Sequence, residues 1–263
     1  MAPENHGADS RAPVLEARGI TKRYGALTAL RGVDLALYPG QVVGLVGDNG
    51  AGKSTLLNIM AGSLAATSGE MFVGGEHAHI RSPADARNYG IETVYQDLAL
   101  GPDLSIWANL FIGRELLKPG PLRFIHWLDR KKMEAETARE LHQTRIKVDS
   151  LRVPVNKLSG GQRQAVAVAR AMAWGSRVLL LDEPTAALGV EQQDNVAKLV
   201  RSAASRDIAV VLVSHNLPQV HALCDRICVL FHGSLVAELR PLEVETIEIV
   251  SWITGARMRR GES

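Results

Sequence analysis

Apolar residues recur along the chain with two different periods. Val33, Leu35 and Leu37 alternate with other residues, which is the period of a strand with one buried face. Pro39-Gly40 marks a turn, and Val42 to Val46 is a short apolar run that ends at Gly47. Leu56, Leu57, Ile59 and Met60 then recur at helical spacing, so the segment reads as strand, loop and helix. A second hairpin is expected around Gly74-Gly75. Ser82-Pro83 has the form of an N-cap followed by proline at the first helical position, and Gly90 that of a helix stop. Ile91 to Tyr95 reads as the next strand.

From about residue 98 to 175 the texture changes, with no convincing long strand. Met133, Ala138 and Leu141 predict one helix face, and the stretch is expected to be a mainly helical subdomain. Strands and helices alternate again afterwards. Val178 to Leu181 and Ile208 to Val213 are apolar strands, and Val196, Leu199, Val200 and Ala203 form one face of the helix between them. This rhythm predicts a parallel sheet covered by helices, an α/β fold. Ile227–Phe231 and Leu235–Leu239, joined at His232-Gly233, predict a hairpin. A last helix over Thr246–Thr254 is expected to close at Gly255.

Composition narrows the classes. The chain has 263 residues, 30 Lys plus Arg against 28 Asp plus Glu, and 46% hydrophobic residues. That balance excludes a disordered or collagen-like chain and a strongly cationic nucleic-acid coat. No apolar run approaches the ~18–20 residues that cross a bilayer. Aromatics at 5% argue against an aromatic-rich platform for carbohydrate or single strands. Cys224 and Cys228 are too few for a disulfide scaffold and read as reduced, buried thiols. Residues 1–13 carry no signal-peptide core and are expected to be a disordered lead-in to a cytosolic protein. Arg257, Arg259 and Arg260 make residues 256–263 a basic tail, read as solvated.

Gly47-Asp48-Asn49-Gly50-Ala51-Gly52-Lys53-Ser54 fits the phosphate-loop pattern, with a strand before it and a helix after it. The glycines Gly47, Gly50 and Gly52 permit a tight path that turns amides, that of Asn49 included, toward phosphate oxygens, and the helix start adds positive potential. Lys53 is expected to reach the β- and γ-phosphates, Ser54 to hold Mg²⁺ and Thr55 to bond a phosphate. The strand Val178 to Leu181 ends in Asp182-Glu183, where a doubly wound sheet places its ligand crevice. Asp182 suits the Mg²⁺ shell, and Glu183 suits a base that orients the attacking water. Ser159 followed by Gln162 is a capping-box pattern, and Gly160 and Gly161 leave amides open to an anion.

Leu158-Ser159-Gly160-Gly161-Gln162, a helix upstream of the acidic strand, resembles the signature of ABC-type ATPases. The resemblance runs from about residue 14 to 255. It implies a P-loop ABC ATPase core with a parallel sheet, an antiparallel β subdomain and a helical signature subdomain. Three further positions take meaning from it. Tyr24, alone a surface aromatic, resembles the residue that stacks on adenine. Gln96, alone a loop amide, resembles the one that reaches Mg²⁺ and the attacking water. His215, alone a structural histidine, resembles the switch residue that touches the γ-phosphate. The resemblance also implies a head-to-tail pair of copies, each ATP lying between Lys53 of one and Ser159-Gly160-Gly161 of the other.

One departure stands out. After Pro184-Thr185-Ala186-Ala187-Leu188 the family often has Asp, and this chain has Gly189. Together with Val94 to Leu100 and Asn109 to Glu115, that segment resembles the ATP-binding subunits of simple-sugar importers of the ribose/fructose type, in the shorter single-ATPase-domain variety. This implies peripheral attachment to the cytoplasmic face of the membrane through permease subunits, and indirectly a sugar-binding protein, with no nucleic-acid partner. Leu110, Phe111 and Ile112 are candidates for the permease-facing surface, with ordinary core of the helical subdomain as the other reading. Two readings compete: an importer ATPase for another solute, and a soluble ATPase of the same family acting on DNA or ribosomes. Against the latter stand the single domain and the modest charge.

Overall fold

The computed structural model describes residues 11–120, 126–143, 148, 150–175, 177–185 and 188–257. Residues 1–10 of the expected lead-in, Ala186 and Ala187, and Arg259 and Arg260 of the basic tail lie outside the described residues. In chain order the elements are β1 (Leu15–Tyr24), β2 (Leu27–Leu37), β3 (Val42–Val46), α1 (Lys53–Met60), β4 (Ser68–Val73), β5 (Glu76–His77), α2 (Pro83–Asn88), β6 (Ile91–Val94), α3 (Ile106–Leu110), α4 (Arg130–Gln143), α5 (Gly160–Trp174), β7 (Val178–Asp182), α6 (Val190–Ala204), β8 (Ala209–Val213), α7 (Leu217–Leu223), β9 (Arg226–Phe231), β10 (Ser234–Leu239) and α8 (Thr246–Ile253).

The strands form two sheets. One is antiparallel in the order β2-β1-β4-β5; the other has six strands in the order β10-β9-β3-β8-β7-β6. In the second, β9, β3, β8, β7 and β6 run parallel, and only the edge strand β10 is antiparallel. The alternation in β2 buries Val33, Leu35 and Leu37 against α1, while β3 and β8 are buried along their whole length, as parallel strands covered on both faces must be. Helices α5, α6, α7 and α8 pack on the opposite face. Cys224 is a buried free thiol on that face and Cys228 one on the α1 face, and burial raises each to about 12, so both stay neutral.

A third apolar cluster joins α3, α4 and α5. Within the stretch around it only isolated bridges, Ser105 with Pro154 and Leu117 with Leu128, interrupt helix and loop among the described residues. Two expectations are corrected here. The buried face of α4 is Met133, Thr137 and Leu141, not Ala138, which is exposed. Steps of four residues drift by only about 40° around a helix, whereas a step of five swings about 140° away. Thr137 is tolerated inside because its hydroxyl donates to the Met133 carbonyl at 2.8 Å. Likewise Leu110 and Phe111, 2% and 3% exposed, belong to the interior of the cluster, and only Ile112, at 45%, is open to a partner.

Helix α5 serves two cores at once. Ala165, Ala167, Val168, Ala171 and Met172 pack with the parallel sheet, and Val166 and Ala169 with α3 and α4. Its run of small apolar residues allows that close approach on both sides.

Candidate functional site

Register determines what meets at the sheet's edge. Val94 lies beside Leu181, Leu181 beside Leu212, and Val213 between Asp182 and Leu45. Four adjacent parallel strands therefore end level. The segments leaving them carry Gln96, Asp182-Glu183, His215 and the Gly47–Ser54 loop, at the strand ends where open α/β sheets bind ligands.

The loop is held by close backbone approach. Gly47, Gly50 and Gly52 have φ of 154°, 78° and 107°. A β-carbon on Gly47 would lie 2.3 Å from the Leu230 carbonyl oxygen, and one on Gly52 would lie 2.8 Å from that of Ala29. Lys53 is only 6% exposed, and its Nζ donates to the carbonyls of Gly47 at 2.8 Å and Asp48 at 2.9 Å. Burial lowers the Lys53 pKa, opposed by the carboxylates of Glu183, Asp48 and Asp182. No side chain caps α1, whose N-cap is Gly52, so its first-turn amides keep their capacity for an anion. Ser54 is exposed and Thr55 half-buried on that turn. The amide of Asn49 donates to Asp48 Oδ1 at 2.7 Å and is already engaged.

Asp182 is half-buried, and burial, together with the neighbouring Glu183 charge, raises its pKa, while Lys53 and His215 pull it down. Glu183 has φ of 50°, a left-handed conformation rare outside glycine; its amide donates to the Val213 carbonyl at 2.9 Å. Its Oε1 lies 2.6 Å from His215 Nε2, so residues expected to act separately are in contact. Gln96 is exposed two positions beyond β6, and Tyr24, 48% exposed, closes β1 with Lys22 Nζ 5.2 Å from its ring centre.

Ser159 and Gln162 form the expected capping box. The Gln162 amide donates to Ser159 Oγ at 3.2 Å, and the Ser159 amide to Gln162 Oε1 at 2.9 Å. Ser159 and Gly160 are exposed, and Gly161 packs toward the Gln192 side chain on α6. Among the described residues, no hydrogen bond or ion pair joins this segment to Lys53, Asp182, Glu183 or His215.

Two arrangements escape sequence reasoning. Thr185 Oγ1 donates to Gln219 Oε1 at 2.7 Å, tying the acidic turn to α7; the Asn216–Gln219 segment, with its cap and proline, carried a signal for that helix but not for this bond. Arg170 reaches back to the carbonyls of Leu98 and Ala99, for which local periodicity carries no signal.

With this geometry in place, comparison with known proteins is informative. Residues 30–186 match the ABC transporter family. The fructose import ATP-binding protein FrcA of Rhizobium meliloti is 43% identical over 94% of this chain and 96% of its own length. A xylose/arabinose import ATP-binding protein of Sulfolobus acidocaldarius is 41% identical over 92% and 94%. Among solved structures, a nucleotide-free ATP-binding cassette from an ABC transporter aligns with TM-score 0.77 at 25% identity, covering 91% of this chain and 99% of that one. A post-hydrolysis dimer of the cassette MJ0796 with ADP and Pi aligns with TM-score 0.71 at 25% identity, over 86% and 98%.

Proposed function

The chain belongs to the ABC transporter family, and from that premise we propose that it is the ATP-hydrolysing subunit that powers uptake of a simple sugar. The carrying observation is the convergence of the Gly47–Ser54 loop with Asp182, Glu183 and His215 at one sheet edge. The sugar is supported by the fructose and xylose/arabinose import relatives, each matched over nearly its whole length.

ATP is the substrate. Lys53 and the uncapped first turn of α1 bind its phosphates, with Thr55 beside them and Tyr24 offering an exposed ring to the base. Glu183 accepts a proton from the attacking water at its carboxylate, and His215, in contact with it, holds that carboxylate in place and faces the γ-phosphate. Among the described residues no cluster of three or more His, Cys, Asp or Glu could hold a metal by itself. Mg²⁺ takes oxygen ligands and shares phosphate oxygens, and the half-buried Asp182 carboxylate and the exposed Ser54 hydroxyl are oxygen donors of that kind. Ser54, Asp182 and Gln96 would hold it, and when bound it neutralises charge on the phosphates.

Ser159, Gly160 and Gly161 complete the site of a second copy rather than their own, so ATP favours a closed head-to-tail dimer through contacts made only there. Gly189, the N-cap of α6, takes the place of a carboxylate at that interface. Permease subunits supply the membrane path, since no helix among the described residues is long and apolar enough to cross a bilayer. They dock near the loop after Gln96 and the exposed Ile112, on the cytoplasmic face, with a sugar-binding protein on the other side and no nucleic acid.

The Glu183→Gln variant is expected to trap an ATP-bound dimer, seen as a shift in size-exclusion elution with ATP. Unchanged ATP turnover would overturn the role of Glu183. Uptake of labelled fructose, ribose, xylose and arabinose by cells carrying either form tests the solute. Equal uptake of all four by both forms would sink the sugar assignment.

A further inference from the structure

Arg170 sits in the C-terminal half of α5, the helix whose first turn is Ser159 to Gln162. Its Nη1 donates to the Ala99 carbonyl at 2.8 Å and its Nη2 to the Leu98 carbonyl at 3.0 Å, across 71 and 72 residues of sequence. Two donors fixed in one plane match two successive carbonyls, which a lysine ammonium cannot do with the same geometry. The clasped backbone is itself unusual. Ala99 has φ of 48°, a left-handed conformation that a side chain disfavours and that needs surrounding contacts to persist. Burial disfavours the Arg170 charge and the Glu92 carboxylate opposes that from a distance, while Glu92 accepts its hydrogen bond from Arg114. Arg114 in turn lies over Trp174, 5.0 Å from the ring centre, and Trp174 Nε1 donates to the Leu110 carbonyl at 2.6 Å. The C-terminal half of α5 is thus fastened both to β6 and to the loop that follows it.

That loop carries Gln96, two residues before Leu98. We propose that Arg170 is a positioning residue for ATP hydrolysis: its fork fixes the Leu98–Ala99 backbone to α5, so that the helix carrying Ser159 and Gly160 and the Gln96 side chain move as one unit. Engagement of the far end of α5 by a second copy then sets where Gln96 stands relative to Asp182 and Glu183. The inference rests on the reading above that Gln96 serves the nucleotide.

The test compares Arg170→Lys, Gln96→Ala and the double variant with the wild type, in steady-state ATPase assays and in hydrogen exchange over residues 97–101. Arg170→Lys keeps the charge and the stem but loses the fork. The expected result is faster exchange over 97–101, a KM for ATP within about twofold, and kcat lowered about tenfold. The double variant should be no slower than the slower single, because both changes remove the same placement. Arg170→Lys with wild-type kcat, with unchanged exchange, or with a loss that multiplies in full with that of Gln96→Ala would overturn the proposal. If Gln96→Ala alone leaves kcat unchanged, the role of Gln96 falls and the inference falls with it; a slow Gln96→Ala beside a normal Arg170→Lys removes the inference alone.

Discussion

Helices α1 and α5 both begin in glycine-rich segments, yet their first turns are built in opposite ways. The start of α1 is enclosed. Leu230 and Ala29 carbonyls press on Gly47 and Gly52, Lys53 is buried and bonded to its own loop, and no side chain caps the helix. The start of α5 is exposed and self-sufficient. Ser159 and Gln162 close a capping box, and Gly161 lies against the Gln192 side chain rather than against backbone oxygens. An uncapped helix start inside a cradle is a site waiting for an anion, whereas a capped one on the surface is folded and finished before any ligand arrives. The pair fits the proposal that one chain holds the parts of an ATP site and completes it with a second copy.

Substitutions can break this contrast. Lys53→Ala should have the largest effect, a loss of about 10²–10³-fold in ATP turnover, because the γ-phosphate loses a buried cation; a single-turnover assay measures it. Gly47→Ala should come next. Its new methyl meets the backbone oxygen of Leu230, which cannot swing aside, and about 3 kcal/mol of stability should be lost in a urea melt. Only the enclosed end should then respond to alkaline pH. Burial lowers the Lys53 pKa below the ordinary lysine value, and the charged form is the one that binds phosphate. As pH rises through that lowered pKa the cation is lost, so kcat/KM should start to fall before an unperturbed lysine would titrate.

The exposed end should give smaller numbers. Ser159→Ala removes half of the capping box and should cost about 1 kcal/mol in the same melt. Gly161→Ala should lose about 1 kcal/mol in the same melt. The helix gains about 1 kcal/mol from alanine, but the new methyl would lie 2.3 Å from Gln192 Cγ and 2.9 Å from Gln192 Cβ, which is fixed to the α6 backbone, so α5 and α6 must part. Gln192→Ala removes Cγ and keeps Cβ, so in that background only part of the loss should be relieved, and full relief there would show that Cγ alone limits the position.

Much of both ends could be read from sequence because their chemistry is local. The loop glycines, the Asp182-Glu183 pair and the Ser159/Gln162 cap each lie within a few residues, and period-two alternation placed Val33, Leu35 and Leu37 inside. Reading failed where a helix face depends on what packs against it. Ala138 was expected inside and Thr137 was not, because a threonine that satisfies its own hydroxyl on the preceding turn leaves no trace of that in its residue type. Leu110 and Phe111 were candidates for a docking surface; α4 and α5 cover them instead.

The sequence alone determined the strand–loop–helix run from β2 to α1, the alternation from β7 to β8, the path of the phosphate loop and the cap of α5, though it left β1, α3 and α7 unread, since backbone conformation and short-range hydrogen bonds govern what it did determine. Only the tertiary structure decided that Glu183 meets His215, that Lys53 is buried, and that Arg170 clasps Leu98 and Ala99. The Glu183 and Arg170 contacts join residues tens of positions apart, and the first exists because parallel strands ending level bring separate loops to one edge.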